Sequence, residues 1–230
     1  GGGRGDRLHK PPADVRHGQV HPGPVLQGVL MHAPVLVVDD GSQDATATVA
    51  AAAGAQVVRH EVNRGKGAAL ATGFAWALAH AYKAVLTLDA DGQHDPVDIP
   101  RFLDAYRAGG SDLIIGRRDF RVMPFPRGYT NPFGSWLLSK ALGVRLWDNQ
   151  SGFRLYTRRV LESLRPTTTG FEYEVDVIAQ AVYAGMTIGW VPIRTIYGIE
   201  KVSYFRPIRD SLRFIGTVWR IWRQRPARQP

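Results

Sequence analysis

Ala84-Val85-Leu86-Thr87-Leu88-Asp89-Ala90-Asp91-Gly92-Gln93-His94 is the stretch that decides the fold class. An apolar, β-branched run stops in a polar turn containing glycine, which predicts a strand ending in a loop. The pattern recurs upstream, where Val35-Leu36-Val37-Val38 ends in Asp39-Asp40-Gly41-Ser42. It recurs downstream, where Asp112 to Ile115 ends in Gly116-Arg117-Arg118. Gln56-Val57-Val58-Arg59 is one more such run. Helical stretches separate them: Ala45 to Ala53, stopped by Gly54, then Ala68 to about His80, then Pro96 through Tyr106. Ser42 or Asp44 is placed to cap the first of these. Strands of continuous apolar residues alternating with helices predict an α/β domain whose mostly parallel sheet is covered on both faces. Ligands of such sheets bind beyond the carboxyl ends of the strands. The polar clusters at 39–44, 89–94 and 116–118 should therefore line one crevice.

Away from this centre the pattern is looser. Residues 119–147 are irregular until a helical stretch from Phe133 to Leu142, and 148–154 form a polar turn. A helix from Glu172 to Ala184 and a strand at Ile188–Ile193 close the body. Residues 1–34 are rich in Gly, Pro, His and Arg with no period of two or 3.6. Only Val25 to Leu30 suits a strand there, and most of the segment is expected to be poorly ordered.

A chain of 230 residues, 44% of them hydrophobic, suits one globular domain with a core of its own. Cysteine is absent, which excludes disulfides and thiolate metal sites. No basic-then-apolar leader is present, and no apolar run approaches the ~18 residues of a spanning helix. The net charge of +9 is uneven: residues 33–193 carry sixteen basic and sixteen acidic side chains, whereas residues 194–230 carry nine Lys/Arg against Glu200 and Asp210. A neutral body with a basic end suggests contact with an anionic surface, such as lipid headgroups or nucleic acid, or simply a solubilising tail.

Several side chains suit chemistry. Asp89 and Asp91, one residue apart past a strand end, can coordinate a hard divalent cation that also holds a diphosphate, with Gln93 and His94 completing or orienting the shell. In another setting the same pair would only shape a turn. Asp39 and Asp40 can accept hydrogen bonds from ribose hydroxyls or a base edge, with Gly41 allowing the tight turn. Asn63-Arg64-Gly65-Lys66-Gly67 lacks the phosphate-loop spacing of nucleoside triphosphatases. Amides at a helix start beside Lys66 still favour an anion. Arg117, Arg118, Arg121 and Arg127 can fork onto phosphate oxygens, or lie solvated at the surface.

Taken in order, three motifs closely resemble glycosyltransferases of family 2. They are Val37-Val38-Asp39-Asp40-Gly41-Ser42-x-Asp44-x-Thr46, Asn63-x-Gly65-Lys66-Gly67-Ala68-Ala69-Leu70-x-x-Gly73 and Asp89-x-Asp91-x-Gln93-His94. The likeness continues through Gly116-Arg117-Arg118, Asp148-x-Gln150-Ser151-Gly152-Phe153-Arg154, Gly170-Phe171-Glu172-Tyr173-Glu174 and Val191 to Tyr197, in the manner of the dolichol-phosphate mannose synthase and bacterial polyprenyl-phosphate branch. The resemblance covers about residues 34–215. It implies the GT-A fold, a Rossmann-like sandwich that uses nucleotide sugars, with a glycosyltransferase domain over 34–205 and a basic amphipathic helix and tail over 206–230.

The resemblance further implies Asp39 and Asp40 near the nucleoside, Lys66 and Asp89 at the nucleotide, and Mg²⁺ or Mn²⁺ at Asp89, Asp91 and Gln93. Arg117, Arg127 and Arg194 would hold an acceptor phosphate, and Asp91, Arg117 and Asp148 would serve the reaction. That reaction would be inverting transfer of a hexose, from a donor of the GDP-mannose or UDP-glucose type, to a polyprenyl phosphate. Two alternatives remain: a saccharide or protein hydroxyl as acceptor, and an inactive nucleotide-binding remnant. Nucleic acid is not an expected partner, because the basic charge sits in the tail.

Family members begin with a further strand ending in a Pro-x-x-Asn-Glu-like turn. Residues 1–33 hold no counterpart, which points to a misassigned or frameshifted start, or to a lost element, and to a sheet short of a central strand. At the other end, Leu212, Phe214, Ile215, Val218, Trp219, Ile221 and Trp222 share one half of a helical wheel, opposite Arg213, Arg220 and Arg223. Residues 211–223 are therefore expected to lie in an anionic membrane surface, placing the protein at the cytoplasmic inner face, or else to pack on the body.

Overall fold

In the computed structural model of the chain, residues 23–123, 125–163, 165–168, 170, 172–196 and 207–224 are described. Residues 1–22, Phe171 and 197–206, including Tyr197 and the boundary at 205, lie outside them.

The first half alternates as its sequence pattern predicts. Helix α1 (Gly23–Leu30) leads to β1 (Leu36–Asp39), α2 (Thr46–Ala52), β2 (Gln56–Arg59), α3 (Lys66–Ala79) and β3 (Ala84–Thr87). A 3-10 turn (Pro96–Asp98) then enters α4 (Ile99–Ala108), and β4 (Leu113–Arg117) follows. The second half holds α5 (Arg127–Leu142), β5 (Arg154–Thr157), α6 (Arg158–Ser163), α7 (Glu172–Tyr183), β6 (Ile188–Pro192) and α8 (Pro207–Arg223).

The strands form two sheets. β1 and β2 pair in parallel, and a four-stranded sheet runs in the order β3-β5-β4-β6. Its core is β4: Leu113, Ile114 and Ile115 are fully buried between helices on both faces. Phe102 and Phe153 stack beneath one face at 4.4 Å, and Phe74 and Tyr156 meet at 4.7 Å above the other.

Two expectations are corrected and two are made specific. Val25 to Leu30 lies within a helix, because Leu26 and Val29, three residues apart, pack on separate clusters that a strand could not reach from one face. The mostly parallel sheet holds, with β5 running antiparallel to both β3 and β4 among the described strands. Arg154 hid this strand in the sequence by opening it with a charge. Helix α5 starts six residues earlier than its apolar pattern suggests and carries Pro132 inside it, as its sixth residue, where the bond to the Gly128 carbonyl is given up. At α2, Asp44 takes the N–H of Thr46 while Ser42 gives its own N–H to Asp39.

Helix α8 packs on the body, and its apolar half divides in two. Thr217, Val218 and Ile221 are buried with Phe214 partly covered, Tyr183 Oη donates to the Ile221 carbonyl, and Arg220 reaches Asp176 at 2.8 Å. Leu212, Ile215, Trp219 and Trp222 face outward. Among the described residues, no helix is long and apolar enough to cross a membrane.

Candidate active site

The carboxyl ends of β1, β2 and β3 meet through two side chains. Asp40, just past β1, accepts from the backbone N–H of Arg64 (2.9 Å) and of Gly65 (2.7 Å), which lead into α3. His60 adds a 2.6 Å contact from Nδ1 while its Nε2 meets Thr72. Burial pushes the Asp40 carboxyl up, and these donors more than offset it, so it lies below its ordinary 3.8. Both oxygens of Asp40 are thus used to shape the 63–67 turn. Gly41 permits this closeness: its φ is +76°, and a Cβ there would lie 2.7 Å from Asn63 N. Asp39 is buried, accepts from Ser42 N–H at 2.8 Å through Oδ1, and has Oδ2 in an ion pair with Arg59 Nε at 3.3 Å without hydrogen-bond geometry. An acceptor at a strand end whose hydrogen-bond capacity is unused suits an external hydroxyl or N–H.

Lys66, the first residue of α3, bridges two carboxylates: Nζ is 2.8 Å from Asp89 Oδ1 and 2.7 Å from Glu174 Oε2. Burial would lower its pKa, but the facing charges of Glu174 and Asp89 raise it well above its ordinary value, so it is a fixed cation. Burial raises Asp89, and Lys66 foremost outweighs that and holds it below 3.8. Asp91 Oδ1 accepts from Gln93 N–H at 2.9 Å, closing the turn. His94 is buried against Phe153, and its Nδ1 accepts from Asp89 N–H, which leaves a neutral ring protonated on Nε2. Gly152 makes room for Asp89, since a Cβ at 152 would overlap that carboxylate.

The second half supplies cations to the same edge. Arg118 grips Asp148 through Nε (2.7 Å) and Nη2 (2.9 Å), and Asp148 is fully buried. Both its oxygens are engaged, so Asp148, expected in the reaction, acts here as the anchor of Arg118. Arg117 is exposed and lies over the Trp147 ring at 4.0 Å, with Arg145 on the same ring at 3.6 Å. Residues 194–196 run beside the 93–94 turn: Ile196 N–H donates to Gln93 O, and His94 pairs with Thr195. Arg194 is anchored there by its own N–H to Asp98. Arg127 sits exposed at the start of α5.

Two functional side chains carried no assigned role in the sequence. Arg154 is fully buried and donates to the carbonyls of Ser151, Asn149 and Glu174, pinning the 149–153 turn against Asp89. Glu174 holds Lys66. Each is a charge inside an apolar stretch (Arg154 before Leu155 and Tyr156, Glu174 before Val175), and that was the available signal.

The carboxylate oxygens of Asp89 and Asp91 are hard donors of the kind Mg²⁺ and Mn²⁺ prefer, with the Gln93 turn behind them. Among the described residues no group of three or more His, Asp and Glu gathers. A cation held by these residues would therefore complete its shell with diphosphate oxygens and water. An open groove of about 350 Å³ adjoins the site along α3, lined by Arg64, Thr72, Thr168 and Tyr173 among others. It contains none of these carboxylates.

Residues 31–165 match the description Glycosyl transferase family 2. The polyprenol monophosphomannose synthase of Mycolicibacterium smegmatis is 34% identical over 201 residues, covering 78% of this chain and 76% of that protein. The undecaprenyl-phosphate mannosyltransferase of Micrococcus luteus is 33% identical over 196 residues, covering 77% and 79%. Among solved structures, glucosyl-3-phosphoglycerate synthase from Mycobacterium tuberculosis in complex with Mn²⁺, uridine diphosphate and its product superposes with a TM-score of 0.64 at 22% identity, over 86% of this chain and 73% of that one. That likeness identifies the GT-A fold.

Proposed function

Since the chain belongs to glycosyl transferase family 2 and is a glycosyltransferase, we propose that it moves a hexose from a nucleotide sugar, of the GDP-mannose or UDP-glucose type, to a polyprenyl or dolichyl phosphate with inversion. The observation that carries this reading is the pairing of cations with occupied carboxylates at one sheet edge. Asp148 is held by Arg118, and Asp89 faces the Lys66 ammonium in a place where it would serve a cation, while Arg117 and Arg194 stand exposed nearby. A hydroxyl acceptor would need a carboxylate free to take its proton. A phosphate acceptor is already anionic and needs positioning instead.

Asp39 Oδ2 accepts from the nucleoside, and the turn ordered by Asp40 presents its amides to the phosphates. Lys66 turns from Asp89 towards a diphosphate oxygen while Glu174 keeps it in reach. Arg117, backed by Trp147, and Arg194, with Arg127 from α5, hold the acceptor phosphate in line with the anomeric carbon. Asp89, Asp91 and Gln93 would hold Mg²⁺ or Mn²⁺, which would neutralise charge on the departing diphosphate.

The acceptor's lipid calls for a membrane surface. Leu212, Ile215, Trp219 and Trp222 on α8, joined by Tyr129, Phe133 and Trp136 on the adjoining α5, present exposed apolar side chains beside Arg213, Arg223 and Arg127. Such a face fits an anionic bilayer at the cytoplasmic side.

The test is transfer of labelled sugar from UDP-glucose and GDP-mannose to a polyprenyl phosphate in detergent, with Mn²⁺, Mg²⁺ or EDTA, beside Asp91→Ala. Metal-dependent lipid-linked product that Asp91→Ala abolishes is expected. The break between the two sheets favours one other reading, a nucleotide-binding remnant. Folded protein that binds nucleotide yet yields no product with either donor would establish it.

A further inference from the structure

Trp147 carries two cations on one ring. The guanidinium carbon of Arg117 lies 4.0 Å from its centroid and that of Arg145 3.6 Å. The two charges can be no farther apart than the sum of those distances, a span that one phosphate group can bridge. Both arginines are exposed, and among the described residues neither forms an ion pair with a carboxylate. The acids beside them in sequence are already engaged: Asp148 grips Arg118 through two hydrogen bonds, and Asp119 is bonded by Arg121. Elsewhere the chain neutralises its arginines, as at Arg154, Arg158, Arg159 and Arg220.

The ring beneath the two cations is held by its neighbours. Leu146 and Asp148, on either side of Trp147, are buried. Leu146 N–H donates to Ser139 Oγ at 3.0 Å, and that hydroxyl donates to the Ser135 carbonyl inside α5. The Arg118–Asp148 fork ties the residue after Arg117 to the residue after Trp147, so the end of β4 and the turn before β5 are strapped twice, once by charge and once by the stack. A long arginine alone in water samples many rotamers, and a fixed aromatic face removes most of that freedom before any ligand arrives. The ring's attraction for each cation is modest at an exposed site, and the repulsion between the two cations is of similar order. An anion between the forks reverses the sign of that second effect. The free protein therefore holds in place two charges that only a ligand would neutralise.

We propose that Arg145 is a further acceptor-binding residue, which forms with Arg117 a two-guanidinium cradle for a single phosphate, and that Trp147 is the positioning residue that holds both forks. This rests on the reading of the acceptor as a prenyl phosphate and adds to it the residue that completes the grip. A phosphate monoester is close to doubly charged at pH 7, which matches two unpaired guanidinium groups. Planar forks also fix the orientation of the phosphate, so that one oxygen is left to attack.

The test uses the full chain with geranyl phosphate and with inorganic phosphate, titrated calorimetrically, beside sugar transfer to geranyl phosphate. Arg145→Ala should raise both Kd and KM for geranyl phosphate about tenfold, the order expected for one lost charge-assisted contact. The loss should fall on the acceptor's KM and not on that of the nucleotide sugar, and Tm should not move. Trp147→Phe, which keeps a ring face, should rescue what Trp147→Ala loses. Arg145→Lys should recover only part of the affinity, because an ammonium cannot fork. Inorganic phosphate should bind more weakly than geranyl phosphate and compete with it. Transfer and binding left unchanged by Arg145→Ala would overturn the cradle while the transfer reading stands. Binding that needs Arg145, in a protein that transfers nothing, would keep the cradle and overturn the transfer reading. An equal rise in KM for donor and acceptor, or no binding of geranyl phosphate by the native protein, would also overturn the cradle. Tighter binding of inorganic phosphate than of geranyl phosphate would overturn the prenyl headgroup as its ligand.

Discussion

Nζ of Lys66 lies 2.8 Å from Oδ1 of Asp89, so the loop after β3 and the first residue of α3 share one proton-rich contact. Glu174 holds the same ammonium from α7. Lys66→Met removes the ammonium that bridges the two carboxylates and leaves Arg154, 3.5 Å from Glu174, as the cation beside them, which costs about 1–3 kcal/mol. Combining it with Glu174→Gln should restore part of that loss, a coupling of about 0.5–3 kcal/mol. Urea denaturation of the two single variants and the double variant checks this. Strict additivity would show that the two side chains do not act on each other.

Asp148 and Arg117 should separate stability from turnover. Asp148→Ala removes the carboxylate that grips the Arg118 guanidinium, whose side chain is only 13% exposed, and the expected cost is about 3–5 kcal/mol. Arg117→Ala removes an exposed side chain that lies on Trp147, so Tm should barely move while the KM for the lipid phosphate rises. A thermal melt of both variants beside their kinetics distinguishes the anchor from the acceptor contact.

Gly152→Ala would drive a methyl group into the Asp89 carboxylate. The Phe153 core beneath cannot yield, because Phe153 is fully buried against Phe102. Asp89 must therefore turn away, and Mn²⁺-dependent binding of a nucleoside diphosphate should be lost while most of the fold's stability remains. Calorimetric titration of the folded variant measures it, and unchanged affinity would remove Asp89 from the nucleotide site.

What the sequence made legible was the part governed by local pattern. Apolar runs ending in Asp39-Asp40, Asp89-x-Asp91 and Arg117-Arg118 marked strand ends, and the structure gathers all of these at one edge. Long-range pairing was not legible. Arg154 disguised β5 because its solvation is replaced by three carbonyls from distant turns, which no local window contains. The partner of Asp148 was hidden for the same reason: Arg118 is thirty residues away. The helical wheel of 211–223 ran correctly, but periodicity alone cannot say that two opposite flanks of one apolar half have different partners.

His94 should give the molecule an acid-sensitive stability. Burial foremost depresses its pKa below the ordinary 6.5, against the pull of Asp89 and Asp91 and helped by Arg118 and Lys66. The unfolded chain therefore takes up its proton first as the pH falls. The neutral ring's contribution is complete above about pH 6.5 and is lost progressively below it, down to the folded value. Asp40 and Asp89, depressed below 3.8, act only in a lower window. Denaturant midpoints at pH 7.5, 6.5 and 5.5 should decline in the native protein, and His94→Gln should flatten the decline.

The two flanks of α8 predict opposite mutant behaviour. Ile221 is 1% exposed and joins Val218 in the main core cluster, so Ile221→Ala should cost about 2–5 kcal/mol and lower Tm. Trp219 and Trp222 are each 57% exposed, so replacing both with Ser should leave Tm within a degree or two of the native value. If this flank meets the bilayer, the same double change should weaken flotation with vesicles containing anionic lipid, and added salt should weaken it further by screening Arg213 and Arg223. Sugar transfer to a short, water-soluble prenyl phosphate should survive the double change while transfer to a long lipid in vesicles falls, because only the latter requires the enzyme to reach a surface. Equal flotation of native and doubly substituted protein would confine α8 to its role in packing.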